Sequence, residues 1–147
     1  MTSAKIFATG LLLAVTASNS WALNLNSQQE SKSLVFADSA LECGIYYEYT
    51  AGGLEKNPNV DSEVVRAIVQ NSETLLHTAD LLYDAAGISI ADRRKEFMHR
   101  ARIMIEERQE SPRSIDELIY DFGEKCKLLM ATYSLRIKNI AAEPSSI

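Results

Sequence analysis

Residues 41–47 read LECGIYY and carry one of the two cysteines of this 147-residue chain, beside a glycine and two tyrosines. The other cysteine, Cys126, lies near the opposite end of the chain, within EKCKLL of residues 124–129. A disulfide between Cys43 and Cys126 would join an early segment of the chain to a late one. Whether these sulfurs meet therefore decides how the segments between them are arranged.

The first 22 residues have the composition of an export signal. Lys5 supplies a positive charge, residues 6–17 are mostly apolar, and Ser20 and Ala22 place small side chains at the positions that a signal peptidase reads. The apolar run is too short to span a bilayer, and no later stretch is long enough. We predict a cleaved signal peptide over 1–22, no integral membrane span, and a protein that is periplasmic or secreted.

Export determines how the two cysteines are interpreted. In an oxidising compartment a single pair of cysteines usually forms one structural disulfide. The chain has neither the Cys-x-x-Cys pattern of thiol exchange nor the Cys-x-x-Cys-His pattern of haem attachment. We therefore predict a disulfide between Cys43 and Cys126, with two free buried thiols as the alternative.

Composition and charge favour one acidic domain. Loss of residues 1–22 removes Lys5 and no acid, so the net charge of -5 becomes -6. This balance, together with export, argues against a nucleic-acid partner. Residues 23–140 are long enough for one hydrophobic core, whereas residues 141–147, with Pro144, are predicted to be a frayed tail.

Capping and breaking signals divide the domain into four helices and no strands. Serine or aspartate precedes each apolar period, and glycine or proline follows it. Helix 1 is expected to stop at Gly52-Gly53, and helix 2 is expected to be capped by Asp61 and to end at Gly87. The predicted helices cover residues 27–51, 61–86, 89–110 and 114–140. Short connections favour an all-α, antiparallel up-down-up-down four-helix bundle.

Helical periodicity assigns a buried face to each helix. Helix 1 has a broad apolar arc divided by small residues that include Ala37, Ala40 and Gly44, which predicts that it is the most buried helix. Cys43 and Cys126 are about 12 to 17 Å from the same end of the bundle, so a disulfide linking helices 1 and 4 fits. The other inward faces are predicted to include Val64, Val69, Ile90, Met98 and Ile119.

The chain lacks a recognisable catalytic or metal-binding constellation, so we predict that it is not an enzyme and has no cofactor. Glu96 and His99 form one Glu-x-x-His, but a di-metal bundle needs a second such pair and more carboxylates. His77 and His99 are expected on outward faces. Basic residues of helix 3 are expected to pair with acids of helix 2, or else to contact an anionic surface.

Several outward or misplaced residues are candidates for binding. Leu128 and Leu135 are seven positions apart on the outward side of helix 4, a spacing typical of a contact surface. Tyr46 and Tyr49 are expected to face more outward from helix 1. They would either pack at the edge of the core or form an aromatic recognition patch near Gly52-Gly53, since tyrosine is favoured in interfaces.

Three charged residues, Glu48, Arg94 and Arg108, fall on apolar faces. Glu48 lies on the arc of helix 1, and Arg108 lies on the apolar side of helix 3 at a similar height. An internal ion pair between them is one interpretation, and an arginine that extends to solvent is the other.

These patterns favour a small exported helical protein that acts by protein–protein interaction, as an inhibitor, immunity factor, adaptor or chaperone. Its partner is expected to be an unknown envelope or extracellular protein, or a second copy in a homodimer. The alternative is a carrier of a small apolar ligand, in a bundle cavity beside Gly44, Tyr47 and Glu48.

Overall fold

The computed structural model of the protein describes residues 27–106 and 115–142, with side chains over 30–104 and 115–141. Helix α1 is Ser27–Leu54, α2 is Ser62–Ala85 and α3 is Ile90–Glu106. The fourth helix, α4, has three consecutive segments: Ile115–Leu118, a π-helical turn at Ile119–Gly123, and Glu124–Ala142. These described ranges contain no strand. The predicted signal peptide, residues 143–147 of the predicted tail, and the end of predicted helix 3 lie outside them.

The connections between helices follow the capping signals of the sequence. Asp61 caps α2, its side chain accepting a hydrogen bond from the backbone N–H of Glu63 at 2.8 Å. Gly87 follows α2 with a positive φ of 74°, the backbone region that glycine adopts at low cost. Ser89 then accepts a hydrogen bond from the backbone N–H of Asp92 at 3.2 Å, just before α3. The short connections from α1 to α2 and from α2 to α3 are therefore encoded locally.

The first two helices form a tight antiparallel pair. The hydroxyl of Ser72 donates to the carbonyl of Gly44 at 2.8 Å, which joins the middle of α2 to the middle of α1. A Cβ atom placed on Gly44 would lie 2.6 Å from Cδ2 of Leu76 and 3.3 Å from its backbone nitrogen. Helix backbones approach this closely only where small residues face the neighbour. The predicted role of the small residues of α1 is confirmed.

The fourth helix runs antiparallel to α1 and is covalently joined to it. Cys43 and Cys126 form a disulfide, and the rings of Phe36 and Tyr133 pack at a centroid distance of 6.3 Å further towards the start of α1. Helix α3 turns back along α2, so the four directions alternate. The predicted up-down-up-down bundle, with its disulfide between helices 1 and 4, is confirmed.

Helix α1 supplies more buried side chains than any other helix in the described ranges. Its buried residues are distributed around most of its circumference, because α2, α3 and α4 all contact it. The main ones are Ser33, Phe36, Ala37, Ala40, Leu41, Cys43, Ile45, Tyr46, Thr50 and Ala51. The prediction that helix 1 is the most buried is therefore correct for the part of the chain described.

The predicted end of helix 1 is wrong. Helix α1 continues through Gly52 and Gly53 to Leu54, and neither glycine has a positive φ. A Cβ atom on Gly53 would overlap the side chain of Ile115, at the start of α4, whereas a Cβ on Gly52 would meet nothing within 4 Å. Gly53 therefore serves close packing of α4 rather than a turn, which the sequence pattern does not distinguish.

Some residues predicted to face inward are exposed. They are Val64 and Val69 of α2, Ile90 and Met98 of α3, and Ile119 of α4. Helix α3 touches the bundle along a narrow line of partly or fully buried residues that leaves its two flanks in solvent. Ile119 lies in the π-helical turn, where i→i+5 bonding changes the rotation per residue. The first half of α2 is left uncovered on the side of Val64 and Val69.

The disulfide closes a loop with a sequence separation of 83 residues, so its loss is expected to destabilise the fold strongly. On the chain-entropy model, removing it with Cys43→Ala and Cys126→Ala lowers the free energy of unfolding by about 4 to 5 kcal/mol. Urea unfolding followed by circular dichroism measures this loss. Reduced wild-type protein lacks the same disulfide without any substitution, so its stability is compared with that of the double variant. Equal urea midpoints for oxidised protein, reduced protein and double variant would contradict the prediction.

Replacement of glycine by alanine is expected to have opposite effects on stability at two positions of α1. Gly44→Ala forces a methyl group against Leu76 and should cost about 1 to 3 kcal/mol of stability. Gly52→Ala places its methyl group in open space and should stabilise the helix by about 0.5 to 1 kcal/mol. Thermal unfolding of both variants tests the pair. The close approach at Gly44 is refuted if its variant melts at or above the wild-type temperature.

Candidate partner-binding surfaces

The outward side of α4 presents large apolar side chains to solvent. Leu128 and Leu135 are 60% and 61% exposed, and Tyr120 is 87% exposed. Seven residues make about two helical turns, so the two leucines lie one above the other, with exposed Ala131 between them. We call Tyr120, Leu128, Ala131 and Leu135 the outer face of α4. The predicted outward position of both leucines is confirmed, and their role in partner binding stays a prediction.

The π-helical turn adds Tyr120 to this face. A π turn contains more residues than an α turn, so the eight steps from Tyr120 to Leu128 make about two turns in all. The ring of Tyr120 therefore falls close to the line of the two leucines. On the bundle side of the same segment, Leu118 is buried and the Phe122 ring stacks on Tyr46. No sequence signal announces a π turn, and sequence reasoning did not identify Tyr120.

The two tyrosines of helix 1 proposed for partner binding are not both accessible. Tyr46 is only 4% exposed, with its ring 5.9 Å from that of Phe122 and 5.1 Å from that of Tyr47. The expectation that Tyr46 faces outward is wrong, because α4 lies over that side of α1 at the π turn. Tyr49 is half-buried and packs against the core. Neither residue belongs to the outer face of α4.

The residues of the proposed internal ion pair are only partly described. Glu48 is exposed, so its carboxylate is not internal as the prediction required. It sits on α1 one turn before Ala51, and this part of α1 is not enclosed on that side. Arg108 lies outside the described residues. Glu48 instead lines an open groove between the first two helices.

We call this depression the α1–α2 groove. It has a volume of about 370 Å³ and lies between the last turns of α1 and the first half of α2. Its lining residues are Glu48, Ala51, Gly52, Glu55, Val65, Val69, Ser72, Glu73 and Leu76. Apolar side chains and small residues line much of it, and every charged residue that lines it is a glutamate.

A second depression, the three-helix groove, lies where α1, α2 and α3 meet. It has a volume of about 320 Å³, and Leu41, Ala79, Tyr83 and Phe97 contribute apolar walls. On the α2 side of Gly44 the space is taken by Leu76, whose Cδ2 would lie 2.6 Å from a Cβ placed on that glycine. The α1–α2 groove, which Glu48 lines, and the three-helix groove each offer room for a small ligand.

A polar network ties α3 to the pair formed by α1 and α2. Oδ1 of Asp38 accepts hydrogen bonds from the Tyr83 hydroxyl at 2.6 Å and from Nη2 of Arg100 at 3.0 Å. Arg100 also donates to Glu96 at 2.6 Å. Burial, and then the hydrogen bond to the Asp38 carboxylate, raises the pKa of Tyr83 above its ordinary range. The phenol is therefore a structural hydrogen-bond donor at neutral pH.

Arg93 of α3 pairs with two acidic residues of α2. Arg93 donates to Asp80 at 2.7 Å and to Asp84 at 3.0 Å, which confirms for this arginine the predicted pairing between the two helices. His77 and His99 are both exposed, in agreement with the sequence analysis. Over residues 30–104 and 115–141 the structure places no group of three or more His, Cys, Asp or Glu side chains suited to hold a metal ion.

Comparison with protein-family models, with curated proteins and with solved structures finds no match to this chain. In the part of the chain that the structure describes, no helix combines the length and the apolar character needed to cross a bilayer.

The raised pKa of Tyr83 predicts a change in the alkaline stability of the fold. A folded pKa above the unfolded value of about 10 gives stability that is present below pH 10 and lost as pH rises through the folded pKa. Tyr83→Phe should therefore cost about 1 to 2 kcal/mol at pH 7 and less at pH 11. Urea unfolding across this pH range measures the difference.

The control is Tyr120→Phe, which removes an exposed hydroxyl from α4. Its stability should follow that of the wild type at every pH. The free energy of unfolding of Tyr83→Phe, plotted against pH, could instead run parallel to that of the wild type up to pH 11. In that case the hydrogen bond to Asp38 does not hold the phenol proton in the way described.

Proposed function

We propose that this chain is an exported protein that acts by binding another protein through the outer face of α4. One observation carries the proposal: three large apolar side chains, Tyr120, Leu128 and Leu135, are exposed along one side of a single helix. Leu128 and Leu135 flank exposed Ala131, and contiguous exposed apolar side chains of this kind are typical of interaction surfaces. The other side of the same helix is tied to the core by the disulfide of Cys126. A surface on a fixed helix loses little conformational entropy when it binds.

The disulfide and the N-terminal sequence support export as part of the proposal. A disulfide persists in an oxidising compartment and is rare where thiols are kept reduced. The signal-like composition of residues 1–22 points the same way, on sequence grounds alone. The partner would accordingly be an envelope or extracellular protein, or a second copy of this chain. An inhibitor, immunity factor, adaptor or chaperone would use such a surface.

The alternative, a carrier of a small apolar ligand, stays a prediction. The three-helix groove is one place that suits it, because its walls include Leu41, Ala79 and Phe97 and its volume is about 320 Å³. This volume lies at the lower end of the range for small-molecule sites, which usually enclose their ligands more fully.

If the partner binds the outer face of α4, charged side chains in place of Leu128 and Leu135 are expected to abolish binding. Leu128→Lys with Leu135→Lys should weaken binding by about thirtyfold or more, because two buried leucines contribute about 2 kcal/mol or more to an interface. Affinity capture from envelope extract, with mass spectrometry, should return one stoichiometric protein with the wild type and none with this variant. Sedimentation velocity tests self-association in the same way.

The matched control is Leu81→Lys with Ile103→Lys, which adds the same charge at exposed apolar residues of α2 and α3. This control should retain the partner and the sedimentation coefficient of the wild type. Circular dichroism should show all three proteins folded. A Leu128 and Leu135 double variant with an unchanged partner and an unchanged sedimentation coefficient would sink the proposal.

A further inference from the structure

The two halves of α2 are covered to different extents. In its second half, Thr78 meets the Tyr133 hydroxyl of α4 at 2.6 Å, and Tyr83 meets Asp38 of α1. In its first half, Val64 and Val69 are 49% and 38% exposed, although both lie on an apolar side of the helix. The α1–α2 groove lies beside this uncovered half. Within the described ranges, no side chain of α3 or α4 lines it.

The lining of the α1–α2 groove has the spacing of a helix-packing surface. On α2 the lining residues Val65, Val69, Ser72 and Leu76 follow the i, i+4, i+7, i+11 pattern of one helix face. On the α1 side, Ala51 and Gly52 lie within the groove, between glutamates seven residues apart. Two antiparallel helix faces side by side form a trough that is suited to a third helix. The stretch from Val65 to Leu76 is about 16 Å long, which corresponds to about three turns of such a helix.

The charge on the rim of the groove selects the chemistry of the occupant. Glu48, Glu55 and Glu73 line the groove, and no basic residue does. None of these three carboxylates takes part in an ion pair within the described ranges. An apolar floor between three unpaired carboxylates is complementary to an apolar helix face flanked by lysine or arginine. An acidic helix would be repelled.

We infer that the α1–α2 groove binds a basic amphipathic helix of a partner protein. The groove is formed by α1 and α2, whereas the outer face belongs to α4. Binding in the groove therefore does not depend on the outer face of α4. The occupant places its apolar side chains between Ala51, Val65 and Val69, and its cations meet the glutamates. Binding therefore weakens as ionic strength rises, because the rim is exposed to solvent.

The test uses the full processed chain with its disulfide, and a defined probe. The probe is a fluorescein-labelled 18-residue helical peptide of leucine and lysine, with all leucines on one face. Fluorescence anisotropy is expected to show saturable binding that weakens with added salt. A leucine–glutamate peptide of the same pattern, and a scrambled leucine–lysine peptide without an apolar face, are expected not to bind. Equal binding of the scrambled peptide would overturn the inference.

Charge reversal locates the probe on the protein. Glu48→Lys with Glu73→Lys is expected to weaken peptide binding by at least about tenfold. The matched control is Glu117→Lys with Glu124→Lys, which makes the same change of net charge at exposed acids of α4 outside the groove. This control is expected to bind within about twofold of the wild type. Equal weakening by both variants would show attraction to net charge alone and would overturn the inference.

Gly52→Phe tests the shape of the groove without changing its charge. A side chain at Gly52 enters open space, since a Cβ there meets no atom within 4 Å, so the variant is expected to fold and to fill the groove. We expect at least about tenfold weaker peptide binding, with an unchanged circular dichroism spectrum. Wild-type affinity in this folded variant would overturn the inference.

Two further results distinguish this site from other arrangements. The Leu128→Lys and Leu135→Lys double variant is expected to bind the peptide with wild-type affinity, so this inference and the proposed function of α4 fail independently. If the wild type sediments as a dimer that Gly52→Phe converts to a monomer, the groove holds a second copy of this chain. That result would overturn the assignment of a partner helix.

Discussion

The close approach of two helices to one short segment of α1 controls the rest of the structure. Gly44 lets α2 lie against the backbone of α1, where the Ser72 hydroxyl binds the Gly44 carbonyl. The neighbouring residue, Cys43, faces another direction and joins α1 to α4 by the disulfide. Because adjacent residues of a helix point about 100° apart, one segment holds two helices on two of its sides. This geometry places α1 at the centre of the bundle.

The two surfaces proposed for binding follow from this central position. Because α1 is packed on most sides, each neighbouring helix uses one side to contact α1 and exposes its other sides to solvent. Helix α4 uses one face for Cys126 and Leu129 and keeps Leu128 and Leu135 outside. Helix α2 meets α3 and α4 through Thr78, Asp80 and Asp84 of its second half, and valines of its first half border an open groove beside the end of α1. Both surfaces are held in place by the same disulfide-linked core.

Much of the fold was predictable because its signals are local or repeat with the period of a helix. Asp61 and Gly87 delimit α2 by their own capping chemistry, and the stripe containing Cys126 and Leu129 follows from helical spacing. The errors occur where a neighbouring helix changes the outcome. Glycine is compatible with a turn and with close packing, and only the position of Ile115 shows that Gly53 serves packing. The candidate groove was unpredictable, since it depends on which half of α2 stays uncovered.

The sequence by itself determined four amphipathic helices, their alternating directions, the small residues that bring α2 close to α1, and the pairing of Cys43 with Cys126. Capping and periodicity act within a single helix, so the sequence alone reveals them. Two cysteines in an exported chain allow only one intramolecular disulfide. Only the tertiary structure decided that Tyr46 is buried and Tyr120 exposed. The π-helical turn of α4 and its packing over α1 set both positions, and these depend on contacts between residues far apart in the chain.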